Sequence, residues 1–288
     1  MYKNKNIILF AFASIDLKKS AQRLKIQAKK SGYYDEIKIL SPRDFDLKMR
    51  TKYHKLKKEK KKRGYGYWFW KPEFLNKIIN QLKSDDIIHY IDIGCHVQNK
   101  NSRFYEYLDM IIETDSWLLP FQYKCDEFDK FNDISFPKRE EYKYTKSDLL
   151  EFFNFLDKRE ITHTSQFWAG SFFLKNCQKS KNFLEEWIKI FDNNFDLIDD
   201  TSSKLKNFNG FIEHRHDQSA FSLLCKKYNI KSLSAYESEW GEKNNNRTWE
   251  HNFENPVLAK RDLRYNIFKR FVNRQLKTFR RYKKFLIN

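Results

Sequence analysis

Glycine and proline are scarce in this chain of 288 residues, numbering 7 and 5. So few turn formers argue against a β-sandwich full of tight hairpins. Cysteine is scarce as well. Cys95, Cys125, Cys177 and Cys225 form no C-x-x-C pair and follow no signal peptide. They are expected to be reduced thiols in a cytosolic protein. Long apolar runs are missing. Residues 7–13 fall short of the roughly 20 apolar residues a bilayer span needs, and they lack a cleavage-site pattern. What the chain has in quantity is core material: 40% hydrophobic and 17% aromatic residues. That composition rules out global disorder.

Acidic charge is the minority sign, and the formal net charge is +18. The excess is confined to two places. Residues 48–63 carry +9 and residues 260–288 carry +10, which leaves −1 for everything else. A neutral body with two basic segments suits an anionic partner, either a membrane surface or a nucleic acid. Two solvated helices would look the same.

The apolar run at 6–13, a helical pattern with Leu17, Ala21, Leu24 and Ala28 on one face, and "EIKIL" at 36–40 read as strand, helix, strand. Further strands are expected at "DDIIHYIDIG" (85–94), "WLLPFQY" (117–123) and "QFWAGSFFLK" (166–175). Helices are expected at 71–84, 103–116, 147–156 (N-capped by Ser147), 179–193 and 217–229. Alternating strands and helices with short connections predict a doubly wound α/β sheet. Residues 124–145 read as a polar excursion. Over 260–286, Phe268, Phe271, Val272, Leu276, Phe279, Tyr282 and Leu286 recur at three- and four-residue steps against Arg and Lys. This predicts a basic amphipathic helix able to lie in an anionic membrane interface.

Four stretches carry chemistry. "RGYGYWFWKP" (63–72) sets Tyr65, Tyr67, Trp68 and Trp70 among two glycines that free the backbone, and Lys71 closes it. Flat rings and a cation there suit a base or sugar and a phosphate; a core cluster is the alternative. "HYIDIGC" (89–95) ends an apolar strand in Asp92, where open parallel sheets bind ligands. "EHRHDQSAFSLL" (213–224) gathers two histidines, an arginine and Asp217 before a helix, where Asp217 also fits as an N-cap. "QFWAGSFF" leaves room beside Gly170.

The order of "RGYGYWFWKPEFL", "DDIIHYIDIGC", "YTKSDLLEFF", "QFWAGSFFLKN" and "RHDQSAFSLLCKKY" resembles a family of bacterial glycosyltransferases. They have the GT-A type of fold and occur in capsule and lipooligosaccharide gene clusters of Campylobacter- and Helicobacter-like bacteria. The match spans about residues 5–240. The resemblance implies a GT-A-like, Rossmann-related α/β fold, with a mixed, mostly parallel sheet flanked by helices. It implies a transferase domain at 1–258, with a donor half at about 1–120 and an acceptor half at about 121–258, and a basic tail at 259–288. The donor would be a nucleotide sugar, a UDP-sugar favoured, and the acceptor a glycan or glycolipid; nucleic acid is not an expected partner. Ala13, Ser14, Tyr67, Trp68, Lys71, Asp92 and Gly94 would bind the donor. Gly170, His216 and Gln218 would line the acceptor pocket. Asp217 would take the acceptor's proton if the reaction inverts the anomeric configuration and would orient sugar hydroxyls if it retains it, and both outcomes stay open. Asp92 stands where such enzymes carry Asp-x-Asp, but here the pattern is Asp-Ile-Gly. Mn²⁺ or Mg²⁺ held by Asp92 and metal-free action both stay open. A nucleic-acid-binding protein and an inactive sugar-binding domain are the rival readings.

The expected location is cytoplasmic, peripheral on the inner membrane. Deleting residues 260–288 is then expected to abolish sedimentation with anionic vesicles, and retention of the truncated protein on them refutes the tail's role.

Overall fold

The computed structural model describes residues 1–260 except 62, 100, 126, 127, 129, 130 and 253. The amphipathic helix expected at 260–286 lies, after its first residue, outside them. Strand β1 (Ile7–Phe12) passes through helix α1 (Lys18–Ser31) to β2 (Glu36–Leu40). Helix α2 (Leu47–Lys58), the single turn α3 (Gly64–Tyr67) and helix α4 (Trp70–Ile79) precede β3 (Ile87–Ile91). Strand β4 (His96–Val97), helix α5 (Ser102–Ile112) and β5 (Leu118–Gln122) follow. Short helices α6 (Glu141–Tyr144), α7 (Ser147–Phe152) and α8 (Arg159–Thr162) lie before the long β6 (Phe167–Lys175). Then come α9 (Gln178–Asn193), α10 (Asp217–Lys227) and the small strands β7 (Leu233–Ser234), β8 (Gly241–Lys243), β9 (Asn246–Thr248) and β10 (Val257–Leu258). The cap of α7 is Lys146 rather than the expected Ser147, whose hydroxyl instead donates to the Lys206 carbonyl.

The main sheet has the order β2-β1-β3-β6-β5-β7. Strand β1 is parallel to β2 and β3, β6 is antiparallel to β3 and β5, and β7 is parallel to β5. The sheet is therefore mixed and mostly parallel, with β6 alone reversed. Helices cover both faces, which is why β1 and β3 read as unbroken apolar runs. Along β1 the side chains alternate. Ile8, Phe10 and Phe12 join a core with residues of α2, α4, α7, α9 and α10. Ile7, Leu9 and Ala11 join one with α1 and α5.

The strand directions bring three segments to one edge. Parallel β1 and β3 both end there, and reversed β6 begins there. Ile91 pairs with Ser171, and the Asp92 amide donates to the Gly170 carbonyl at 2.8 Å. Above this edge stands the turn before α4. Five consecutive residues, Gly64, Tyr65, Gly66, Tyr67 and Trp68, have positive φ of 55°, 58°, 87°, 54° and 65°. Three of them carry a Cβ, and each left-handed residue of that kind costs about 1–2 kcal/mol. Packing holds them there. Trp70 stacks on Phe12 with centroids 4.0 Å apart, and its indole N–H donates to the Gly64 carbonyl at 2.9 Å. Tyr65 stacks on Tyr53, and the Tyr67 hydroxyl donates to Asp200 at 2.5 Å.

Gly66 is fixed twice, by its φ and by space. A Cβ there would lie 2.8 Å from Leu56 Cδ1 and 2.9 Å from Phe69 Cδ1. Gly66→Ala is expected to cost about 2–4 kcal/mol, combining backbone strain with overpacking. Urea unfolding should show a lower midpoint at unchanged slope.

Candidate active site

The strand-end edge opens into a cleft of about 290 Å³. Trp68, Lys71, Asp92, Gly170, His216, Asp217 and Gln218 all line it, so segments distant in sequence share one hollow. At its floor lies an ion pair. Lys71, 2% exposed, sends its ammonium to the Asp217 carboxylate and to the Ala169 carbonyl at 3.0 Å. The same ammonium lies 4.8 Å from the Tyr90 ring centre. The Tyr90 hydroxyl donates to Asp92 at 2.7 Å. Asp217 is not the cap of α10, because His216 holds that position with φ 55° and ψ −120°. The carboxylate is thereby free to turn inward to Lys71.

Burial pushes the Asp217 carboxyl up to about 6; Lys71 opposes that shift and the charge of Asp92 adds to it. Burial, then the nearby Arg63, pulls His216 down to about 4, so its imidazole is neutral at pH 7. The His216 ring hydrogen-bonds the Ile198 carbonyl through Nδ1 at 2.7 Å and faces Trp68 at 6.0 Å and 21°. With Nδ1 as the donor, Nε2 is left as an acceptor with no hydrogen-bond partner among the described residues. Gln218 is held by the Gln166 amide oxygen at 2.9 Å. Gln166 in turn donates to the fully buried Glu141 at 3.1 Å, which pairs with Lys226 at 3.0 Å.

Four of the expected residues do not line this cleft. The Ala13 amide continues the ladder by donating to Leu40 at 2.8 Å, and the Ser14 hydroxyl turns to Asp16. Tyr67 is buried against Phe195 and His216. Gly94 lies in the turn closed by the Cys95 amide and the Asp92 carbonyl at 2.8 Å. Of the rings in the 63–72 stretch, only Trp68 faces the cleft, while Trp70 is core. Lys71 proves to be the buried partner of an acid rather than an exposed cation. His89, inside "HYIDIGC", is a satisfied core histidine. Tyr34 and Ser171 hold its two nitrogens, and burial pulls it down to about 3.

The residues do not make up a metal site at Asp92. Mg²⁺ or Mn²⁺ needs oxygen ligands free to face it. The Tyr90 hydroxyl takes only Oδ1 of Asp92, but one remaining carboxylate oxygen is a poor metal site, and the Lys71 ammonium on Asp217 Oδ2 would repel a cation beside it. Among the described residues no three His, Cys, Asp or Glu side chains are grouped to hold an ion. Sequence reasoning missed Tyr123, Arg139 and Glu239, which also line the cleft, as do Arg63 and Trp168 from the two stretches singled out at 63–72 and 166–173. Arg139 and Glu239 fall in stretches without periodicity, which carry no signal for a site.

No family model matches the sequence, and no curated protein sequence matches it. Several solved structures are similar in fold. Mouse xyloside xylosyltransferase 1 is 11% identical, with 82% of this chain and 86% of that one covered and a TM-score of 0.40. Glycosyltransferase GlyE of Streptococcus pneumoniae TIGR4 is 13% identical, with 82% and 46% covered and a TM-score of 0.41. The bifunctional glycosyltransferase WbbM is 10% identical, with 92% and 47% covered and a TM-score of 0.48. The chain spans about half the length of the GlyE and WbbM structures. At these identities and scores the likeness carries no argument about function, which rests on the site itself.

The ion pair at the floor is testable on its own. Lys71→Met leaves a buried carboxylate alone and is expected to cost about 3–5 kcal/mol. Lys71→Met combined with Asp217→Leu should recover most of that loss. Denaturant unfolding of the single and double variants measures both.

Proposed function

We propose that the chain is a glycosyltransferase that moves a sugar from a nucleotide-sugar donor to a glycan or lipid-linked acceptor. The carrying observation is the shared cleft: Trp68, Asp92, the Lys71–Asp217 pair, Gly170, His216 and Gln218 converge at the strand ends. Its chemistry suits sugars. Indole rings offer flat apolar faces, while carboxylates, guanidinium groups and an amide offer many directional partners for hydroxyls.

In the reaction, the bond from the anomeric carbon to the donor's phosphate oxygen breaks. A new bond forms to the acceptor oxygen, and the acceptor's proton goes to Asp217. A base whose pKa has been raised to about 6 is well matched to that task near neutral pH. Direct attack of this kind inverts the anomeric configuration. Asp92, on the donor half, hydrogen-bonds the sugar or ribose. His216 and Gln218 position the acceptor. The space expected beside Gly170 is taken by the Trp168 indole, which a Cβ there would strike, so Gly170 serves to seat that ring against the cleft wall. The motif resemblance supports a place in capsule or lipooligosaccharide assembly, with a UDP-sugar donor and the tail on the inner membrane. No helix among the described residues is long and apolar enough to cross a membrane.

Nucleic-acid binding is less well supported. Lys48, Lys52 and Lys61 of the basic stretch turn to Glu73, Asp192 and Asp199 of the body, so part of that charge is already spent.

A panel of UDP-, GDP- and CMP-sugars, with and without Mn²⁺, tests the reading by thermal shift. A bound donor raises the melting temperature, and Asp92→Ala or Trp68→Ala should abolish the shift. Asp217→Asn is expected to lower turnover by about 10²-fold or more. Wild-type turnover should rise with pH through about 6 as the base loses its proton. No shift with any donor refutes the assignment.

A further inference from the structure

The cleft holds three arginines whose pairing is loose. Arg63 lies 3.6 Å from Asp200, Arg215 lies 3.5 Å from Glu213, and Arg139 lies 3.8 Å from Glu239. None of the three donates a side-chain hydrogen bond to a described residue. Arg103, outside the cleft, shows what a satisfied guanidinium looks like in this chain. It meets both Glu237 oxygens at 2.8 Å and Glu106 at 2.6 Å.

Arg139 is the most telling, because it is 7% exposed and still lines the cleft. Its guanidinium is mounted mainly on rings, 4.1 Å from the Tyr123 centroid and 5.6 Å from that of Trp240, with Glu239 at 3.8 Å and not hydrogen-bonded to it. Arg215 is mounted in the same way, 4.1 Å from the Tyr144 centroid, and its buried Nε has no hydrogen-bond partner among the described residues. A guanidinium whose N–H groups have no acceptor in the protein keeps its fork open to a ligand in the cleft. Aromatic faces hold the plane of such a group while leaving its N–H edge free. Oxyanions fit that edge, since phosphoryl groups accept two parallel N–H bonds from one arginine.

We propose that Arg139 and Arg215 form a phosphoryl-binding site within the cleft and neutralise the phosphoryl charge there without a metal ion. The proposal rests on the glycosyltransferase reading only for the source of the phosphoryl group. That source is either the diphosphate of the donor or a phosphate on the acceptor.

Isothermal titration of the full chain in EDTA tests this, with inorganic pyrophosphate, UDP and α-glucose 1-phosphate as probes. Pyrophosphate should bind, and Arg139→Lys and Arg215→Lys should each weaken it at least tenfold. The lysine variants keep the charge and lose the fork, and their unliganded melting temperatures check that they fold. If UDP binding falls in parallel, the donor's diphosphate occupies the site. If only glucose 1-phosphate binding falls, a phosphorylated acceptor does. Pyrophosphate that fails to bind in EDTA, or that binds Arg139→Lys as tightly as wild type, overturns the proposal. The two readings fail separately. Nucleotide sugars that neither bind nor turn over beside intact pyrophosphate binding sink the transferase reading alone. Transfer with unchanged KM in Arg139→Lys sinks this one alone.

Discussion

The buried pair of Lys71 and Asp217 is the constraint around which the cleft is arranged. It joins residues 146 positions apart, and both side chains are nearly sealed from solvent. Such pairs add little net stability, because desolvating two charges offsets most of their attraction. Breaking one is what costs, so the pair acts as a register. The Lys71 ammonium also touches the start of β6 through Ala169 and the end of β3 through the Tyr90 ring. One charge thus ties α4, α10, β3 and β6 at a single point. Trp68 lies three residues before it and Gln218 one residue after its partner, so both reach the cleft as a consequence.

Strain sits on either side of that point. The left-handed run at 64–68 presents Trp68, and the unusual backbone of His216 presents the imidazole opposite it. Backbone in sparsely populated regions persists only where its surroundings over-determine it. Here the surroundings are identifiable: the Phe12–Trp70 stack, the Tyr67–Asp200 hydrogen bond and the Ile198 carbonyl on His216. Two strained segments that face each other across a cleft point to a geometry kept for what the cleft does.

Much of the α/β sheet was legible in the sequence, because strands buried on both faces leave continuous apolar runs. The glycines at 64 and 66 likewise marked a place where the backbone approaches closely or turns with positive φ, and the turn is what forms. Three things were not legible. The reversal of β6 depends on tertiary pairing, which an apolar run does not encode. The left-handed state of Tyr65, Tyr67 and Trp68 runs against their own preference and is imposed by packing. Arg139 lies in a polar stretch whose aromatic support, Tyr123 and Trp240, comes from outside it. The charge of Lys71 points to the site, but Asp217, 146 residues away, neutralises it, and that pairing leaves no mark in the local sequence. Ser14, picked as a donor contact, spends its hydroxyl on Asp16.

Counting charges in the cleft misleads. Arg63, Lys71, Arg139 and Arg215 balance Asp92, Glu213, Asp217 and Glu239, so the lining is formally neutral. Partnering is not balanced. Asp217 has its ammonium, Asp92 has the Tyr90 hydroxyl, and Glu239 has the Tyr123 hydroxyl at 3.2 Å. The guanidinium groups have only distant carboxylates and aromatic faces. Besides the loosely paired Glu213 and the His216 Nε2 acceptor, what the cleft leaves unspent is donor capacity, held in place before any ligand arrives. Preorganised donors stabilise charge that develops when a bond breaks, because they need not reorient at that moment. A departing phosphate is such a charge, and its demand matches the capacity this lining leaves open.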